Sequence, residues 1–371
     1  MTPTVCFFQA YNRDYIRTET LLAGLRDNGV PVITCQVNRR GPLRYPLAIL
    51  KLLRSLGRSD VVLANFRSFE VLWLLRLLTR KPIVHDAHIS FWQSACEERG
   101  WFPPGSLPGR LLFAWDRLNC RLADHVLIDT ETHRDYFIRT FGVPPQKITS
   151  VYISCEDRLF TPRPAPPRGE VTRVLWSGSG IPLQGLDVVY AAFRELAARG
   201  SAVELRLAGA GHLIARLRRQ AEREGLRNLV FLGAIPRRQV VAEIAAADVG
   251  LGGHYSAIPK ASQVIAGKVY ELIAMRKPVI VGDSPAAREL FRDGENALLC
   301  TMGSPRALAD AVDRLAADPA LADRLAGNAY ELYQRRLRPQ VDVVPLLPVL
   351  EELAATPRAR PAAARGRSRS R

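Results

Sequence analysis

Lys268 and Glu271 stand three residues apart in Gly267-Lys-Val-Tyr-Glu-Leu-Ile-Ala-Met275, whose apolar spacing predicts a helix over 268–275. That spacing puts both side chains on one face of the first turn. A carboxylate there can accept two hydroxyls of a ribose, and a lysine beside it can neutralise a diphosphate as a compact point charge. On its own the pair is commonplace, because acids near helix starts and surface lysines occur in any protein. Other residues just past apolar runs add to it. Gly178 and Ser179 follow the run 172–176, Gly209 and Gly211 follow 203–208, and Ile235 follows the short run 230–232. Glycine at such places lets backbone come close to a ligand and aim N–H groups at it. A helix expected to open near Leu186 would add the positive end of its dipole. The Gly-Ala-Gly at 209–211 lacks the third glycine of a dinucleotide fingerprint. In the first half, the run 82–84 opens into His85-Asp86-Ala-His88. His-x-x-His with one Asp has the composition of part of a metal site, but no second His or Cys cluster accompanies it, so no metal is expected.

These residues need strands to end where they begin. Apolar runs at 4–8, 31–37, 60–64, 82–85, 125–129 and 147–153 alternate with helical patterns at 18–28, 46–56, 69–78, 110–123 and 131–141. Residues 160–169, with four prolines and a glycine, can continue neither a helix nor a central strand. The alternation then resumes, with strands at 172–176, 203–208, 230–232, 249–252, 278–281 and 298–300. Helices fall at 186–199, 214–224, 238–246, 268–275, 286–291, 305–317 and 321–336. Strand–helix alternation implies parallel sheets covered on both faces. The fold class expected is α/β, two Rossmann-like doubly wound domains facing a cleft, with ligands beyond the carboxyl ends of the strands.

The 371 residues suit two domains, each long enough to bury a core. The net charge is +16, and six arginines without an acid lie in 357–371. A field of that sign favours anionic partners without choosing among phosphates, anionic lipid and nucleic acid. The tail lacks interleaved aromatics and reads as a disordered basic extension, so nucleic acid is not expected as a partner. The six cysteines are scattered, which fits free thiols in a reducing compartment better than a disulfide framework. No signal peptide and no apolar stretch of about 18 residues is found, so a cytoplasmic location is expected, at the inner face of the cell membrane if a lipid is the acceptor. Over 43–58, Arg44, Lys51, Arg54 and Arg58 fall on one helical face and Leu47, Ile49, Leu50 and Leu53 lie elsewhere. The favoured reading is an ordinary surface helix packing its leucines inward; peripheral contact with an anionic membrane is the alternative.

Taken in order, the Leu-Gln-Gly turn at 183–185, Ala-Gly-Ala-Gly at 208–211, Val-Phe-Leu-Gly-Ala-Ile-Pro at 230–236, Ala-Asp-Val-Gly-Leu at 247–251, Lys268 to Ile280, and Arg288-Glu-Leu-Phe-Arg-Asp-Gly-Glu-Asn-Ala-Leu-Leu resemble the GT-B glycosyltransferases. The likeness is to the large retaining group called family four, or glycosyl transferases group 1. The resemblance spans nearly the whole chain and is clearest over 174–299. It implies an acceptor-binding domain over 1–160, with a C-terminal helix near 335–356 packing back on it, a linker at 161–170, and a donor domain over 171–334. It also implies transfer from a nucleoside-diphosphate sugar to a lipid-linked or saccharide acceptor, with retention and without a metal or other cofactor.

Residue by residue, the resemblance makes Glu271 the acid that holds the donor ribose and Gly178 and Ser179 the diphosphate turn. Gly209, Gly211 and Ile235 would lie near the nucleoside, and Lys268 and Lys260 are the candidates for phosphate charge. It places a histidine near the donor sugar and acceptor after the strand at 82–84. His85 is the first candidate and His88 the second, with Asp86 between them. Arg13 and Arg17 either contact an anionic acceptor or are surface charges. Two positions depart from the pattern. Gln263 stands where many members carry an acid that touches the donor sugar, and Gln184 stands where many carry a base before the glycine. Two rival readings follow: an epimerase or hydrolase of the same fold, and a non-catalytic binding protein with a degenerate donor site. Glu271→Ala and His85→Ala are both expected to cut transfer and spare the fold.

Overall fold

The computed structural model describes residues 2–9, 15–37, 41–164 and 166–356. The first lobe runs β1 (Val5–Gln9), α1 (Ile16–Asp27), β2 (Val32–Gln36), α2 (Arg44–Ser55), β3 (Val61–Ala64), α3 (Leu72–Leu78) and β4 (Ile83–Asp86). It continues with α4 (Leu107–Leu122), β5 (His125–Ile128), α5 (Glu131–Phe141) and β6 (Ile148–Ser150). Its parallel sheet has the order β2-β1-β3-β4-β5-β6. Every residue of β1, β3, β4 and β5 is buried, as a sheet covered on both faces demands.

The second lobe runs β7 (Thr172–Ser177), α6 (Leu186–Arg199), β8 (Val203–Ala208), α7 (His212–Glu224), β9 (Leu229–Gly233) and α8 (Arg237–Ala246). After β10 (Val249–Leu251) come α9 (Gly267–Ala274), β11 (Val279–Gly282), α10 (Pro285–Arg288), β12 (Leu298–Cys300), α11 (Pro305–Ala317) and α12 (Pro319–Leu332). Its sheet is also parallel, in the order β12-β11-β10-β7-β8-β9. The chain then returns to the first lobe through α13 (Pro339–Asp342) and α14 (Leu346–Ala355). There Val343, Leu346 and Leu350 share a core with Val5, Phe7 and Leu25. The basic tail at 357–371 and Arg13 lie outside the described residues.

Side chains from both lobes meet along one seam. The Glu289 carboxylate accepts the backbone N–H groups of Glu131 at 2.9 Å and Thr132 at 2.7 Å, and so caps α5 with a negative charge at the positive end of its dipole. It also accepts the Tyr152 hydroxyl at 2.9 Å.

Helix α2 corrects the favoured reading of its leucines. Ala48, Leu52 and Ser55, spaced i, i+4, i+7, face the sheet. That stripe leaves Leu47, Leu50 and Leu53 on the outer side, where they are 39%, 44% and 45% exposed. All six cysteines are buried free thiols.

Candidate active site

A cavity of about 820 Å³ opens between the lobes, lined from one side by Tyr15, Phe66, Phe69 and His88 and from the other by Gly178, Ile235, Arg237, Lys268 and Glu271. Its size suits a small-molecule site.

Glu271 and Lys268 both face this space from the first turns of α9, and Val264 to Gly267 line the cavity just before them. The Lys268 ammonium sits 3.9 Å from the centre of the Trp176 ring, within cation–π range. It is buried and finds no hydrogen-bond partner among the described residues. Burial pushes its pKa down to about 7, partly opposed by Glu271. Burial likewise pushes the Glu271 carboxyl up to about 7, against the pull of Arg237 and Lys268. Arg237, which sequence reasoning missed, brings a guanidinium Nη2 to 4.0 Å from Glu271 and lies over the Phe160 ring at 5.3 Å. That Nη2 is another buried donor without a hydrogen-bond partner among the described residues. The only signal for Arg237 was its place just past Phe231-Leu-Gly-Ala-Ile-Pro, at the end of β9. His254, also missed, lines the cavity beyond β10, and burial together with Lys268 and Lys260 lowers its pKa to about 3.

Several expected donor contacts are placed differently. Gly178 and Ile235 line the cavity, but Ser179 is exposed and Gly209 and Gly211 are outside its wall. The two glycines serve chain-on-chain packing. A Cβ on Gly209 would fall 1.9 Å from the Gly178 carbonyl oxygen, and one on Gly211 would lie 2.9 Å from that of Ser179. Gln184 lies across Gly178, with its Oε1 accepting the Gly180 N–H at 3.1 Å. Lys260 lines the cavity, yet its charge is already matched: Nζ donates to Ser94 Oγ at 2.9 Å and to Glu98 Oε2 at 3.1 Å, in the other lobe. Gln263 stands outside the wall and joins the lobes. Its Oε1 accepts from Gln93 Nε2 at 2.7 Å, and its backbone carbonyl accepts the Thr130 hydroxyl at 2.5 Å.

On the first lobe the histidine that reaches the cavity is His88. His85 lies within β4, buried, and burial lowers its pKa to about 4 although Asp86 opposes this. The strand ends at Asp86, so a side chain inside it packs into the lobe, whereas the turn beyond carries His88 to the wall. His88 Nε2 is 3.1 Å from the Tyr15 hydroxyl, and Nδ1 is 3.2 Å from Asp86 Oδ2. Tyr15 stacks on Phe66 with ring centres 4.0 Å apart. Asp86 itself is outside the cavity wall. Both its oxygens accept from Arg17 Nε, at 3.0 and 3.1 Å. Burial alone would raise the Asp86 carboxyl; Arg17 and His88 bring it down to about 2. Asp86 therefore stands beside the His88 ring as a buried negative charge, without a well-formed hydrogen bond to Nδ1. Arg17, which also donates to the Val151 and Ile128 carbonyls, is a buried structural cation with no reach to an acceptor. Among the described residues, no three His, Cys, Asp or Glu side chains are gathered to hold a metal ion.

Residues 4–153 match the glycosyl transferase 4-like domain, and residues 159–332 match the glycosyl transferases group 1 domain. With two six-stranded parallel sheets facing a cleft, this chain belongs to the group 1 glycosyltransferases of GT-B fold. It is 24% identical over 226 residues to the alpha-D-kanosaminyltransferase of Streptomyces kanamyceticus, across 58% of this chain and 57% of that protein. It is 31% identical over 179 residues to the O-antigen biosynthesis protein RfbC of Myxococcus xanthus, across 48% of this chain and 13% of that protein. The matched region thus spans little more than half of the first relative and a small part of the second. Among solved structures, Anabaena HepE in complex with UDP superposes with a TM-score of 0.70 at 18% identity, covering 95% of this chain and 100% of that one. Sucrose-phosphate synthase of Thermosynechococcus elongatus gives 0.72 at 18% identity, covering 96% and 100%.

Proposed function

We propose that the chain transfers a sugar from a nucleoside-diphosphate sugar to an acceptor hydroxyl presented near His88, with retention at the anomeric carbon and no metal. The observation that carries this reading is the Lys268 ammonium, buried in the interlobe cavity one turn from Glu271 and, among the described residues, without a hydrogen-bond partner. A buried cation with no hydrogen-bonded anion is costly, and a bound diphosphate would supply one. Glu271 is suited to the ribose diol. Arg237 and the start of α9 add positive potential where the departing diphosphate gathers charge. The carbon–oxygen bond to the leaving phosphate breaks as the bond to the acceptor oxygen forms, and the acceptor proton passes to the leaving phosphate. No protein nucleophile is needed. The fold neighbour from Anabaena was crystallised with UDP, with UDP and glucose, and with UDP-glucose, which supports a donor of this class. Polysaccharide or glycolipid synthesis at the cytoplasmic side of the cell membrane is the setting this reading implies.

A thermal-shift panel of UDP-, GDP-, ADP- and dTDP-sugars at about 1 mM tests it: at least one nucleotide series stabilises the protein, and Glu271→Ala removes that shift. No stabilisation by any member would overturn the reading. Donor consumption should need an acceptor; rapid loss of donor alone would point to a hydrolase or epimerase instead.

The two shifted groups set a pH window. Binding of a diphosphate favours charged Lys268, so affinity falls as pH rises above about 7. A ribose held by carboxylate requires ionised Glu271, so affinity also falls as pH drops below about 7. Calorimetric titration with UDP from about pH 5.5 to about pH 9 should give a maximum near neutrality, with Lys268→Met flattening the alkaline limb and Glu271→Gln the acid limb. A flat profile in the unaltered protein would refute the assignment of these two groups.

A further inference from the structure

Helices α2, α3 and α4 lie along the first-lobe sheet, and each turns an apolar row to solvent. On α4 the row is Leu107, Leu111 and Leu118, spaced i, i+4, i+11, with Leu107 71% exposed. On α3 it is Trp73 and Leu77, and on α2 it is Leu47 and Leu50, continued before the helix by Leu43. Monomers rarely leave so many large apolar side chains on one side.

The exposed charges of these three helical segments have one sign. Segments 44–58, 72–81 and 107–122 contain a single acid, Asp116, and it is buried. Lys51, Arg54, Arg110 and Arg117 lie among the leucines with exposed side chains. The face also adjoins the cavity. Arg44 and Tyr45, at the start of α2, bond to Glu70, which lines the cavity. Phe69, another wall residue, gives its carbonyl to Trp115 and Asn119 of α4. Phe91 and Trp101 line the cavity and are themselves exposed, Trp101 by 61%.

We propose that this face docks on an anionic lipid bilayer and sets the mouth of the cavity, at Phe91 and Trp101, against it. Apolar side chains interspersed with cations that no acid pairs among the described residues suit the acyl–headgroup boundary of such a bilayer, although Lys51 also donates to the Gln36 carbonyl. A second copy of the chain would bring like charges together, and nucleic acid would leave the leucines uncovered. Docking does not depend on the transferase reading; its use for presenting an amphiphilic acceptor to His88 does.

The test is flotation of the full chain, basic tail included, with vesicles of phosphatidylcholine alone and of phosphatidylcholine with about 30 mol% phosphatidylglycerol. Binding is expected to the anionic vesicles. A variant with Leu47→Glu, Leu50→Glu and Leu111→Glu should lose it by at least about tenfold in partition coefficient while keeping its thermal shift with nucleoside diphosphate. Lipids brominated on the acyl chains should quench tryptophan fluorescence, and Trp101→Phe should remove part of that quenching. Unchanged flotation of the triple variant would assign binding to the tail and overturn the proposal. So would quenching indifferent to Trp101→Phe, or a concentration-dependent dimer, abolished in the variant, with no vesicle binding. Vesicle binding without any nucleotide-sugar shift would leave docking standing and remove the transferase reading.

Discussion

Lys268→Met is expected to weaken nucleoside diphosphate binding by about two to three orders of magnitude without destabilising the empty protein. The reasoning rests on what surrounds the ammonium. It is buried and, among the described residues, lacks a hydrogen-bond partner; it lies against the Trp176 ring and, through space, feels Glu271 and His254. Methionine keeps much of the aliphatic stem against Trp176 and removes the desolvated charge, so the melting temperature of the empty protein should hold or rise. With a diphosphate present the balance reverses, because the anion loses a wall cation that, among the described residues, no acid or carbonyl matches at close range. Arg237 is less decisive, since Glu156 and Glu271 stand 3.6 and 4.0 Å from it. Calorimetry with UDP on both proteins, and a melting curve of each, checks the two halves of the prediction. Unaltered affinity in Lys268→Met would show that the diphosphate lies elsewhere.

The second large effect separates two histidines. His88→Ala should lower kcat by about a hundredfold or more and change donor affinity by less than about threefold, because His88 lies on the opposite wall from Glu271 and Lys268. His85→Ala should instead lower stability by about 2 kcal/mol, through a void beneath the sheet, with turnover of the folded fraction kept. Single-turnover kinetics with saturating donor, set beside denaturant melts, distinguishes them. If His85→Ala abolished turnover in a fully folded protein while His88→Ala did not, the placement of the acceptor end would be wrong. Asp86→Ala is a poor substitute for either, since it would strand the buried Arg17 guanidinium.

Much of the architecture was legible. Short apolar runs alternating with helical patterns demanded parallel sheets, and the predicted helices at 131–141, 186–199 and 305–317 fall where α5, α6 and α11 do. Lys268 and Glu271 were legible as neighbours because helical spacing is local. The choice between His85 and His88 was not, since it turned on where β4 stops. Lys260 could not be recognised as already paired, because Glu98 and Ser94 are 162 and 166 residues away in the chain. Arg237 gave almost no signal of its own.

The sequence by itself determined two α/β units, the strand ends at which a ligand would be met, and an acid and a lysine sharing one turn of one helix. These follow from periodicity and side-chain chemistry, which act over a few residues. Tertiary structure alone decided which charges were left without partners, which histidine faced the cavity, and that Leu47 and Leu50 turned outward. Each of those depends on atoms brought together from distant parts of the chain, and the physical reason is that burial and pairing are properties of neighbours in space.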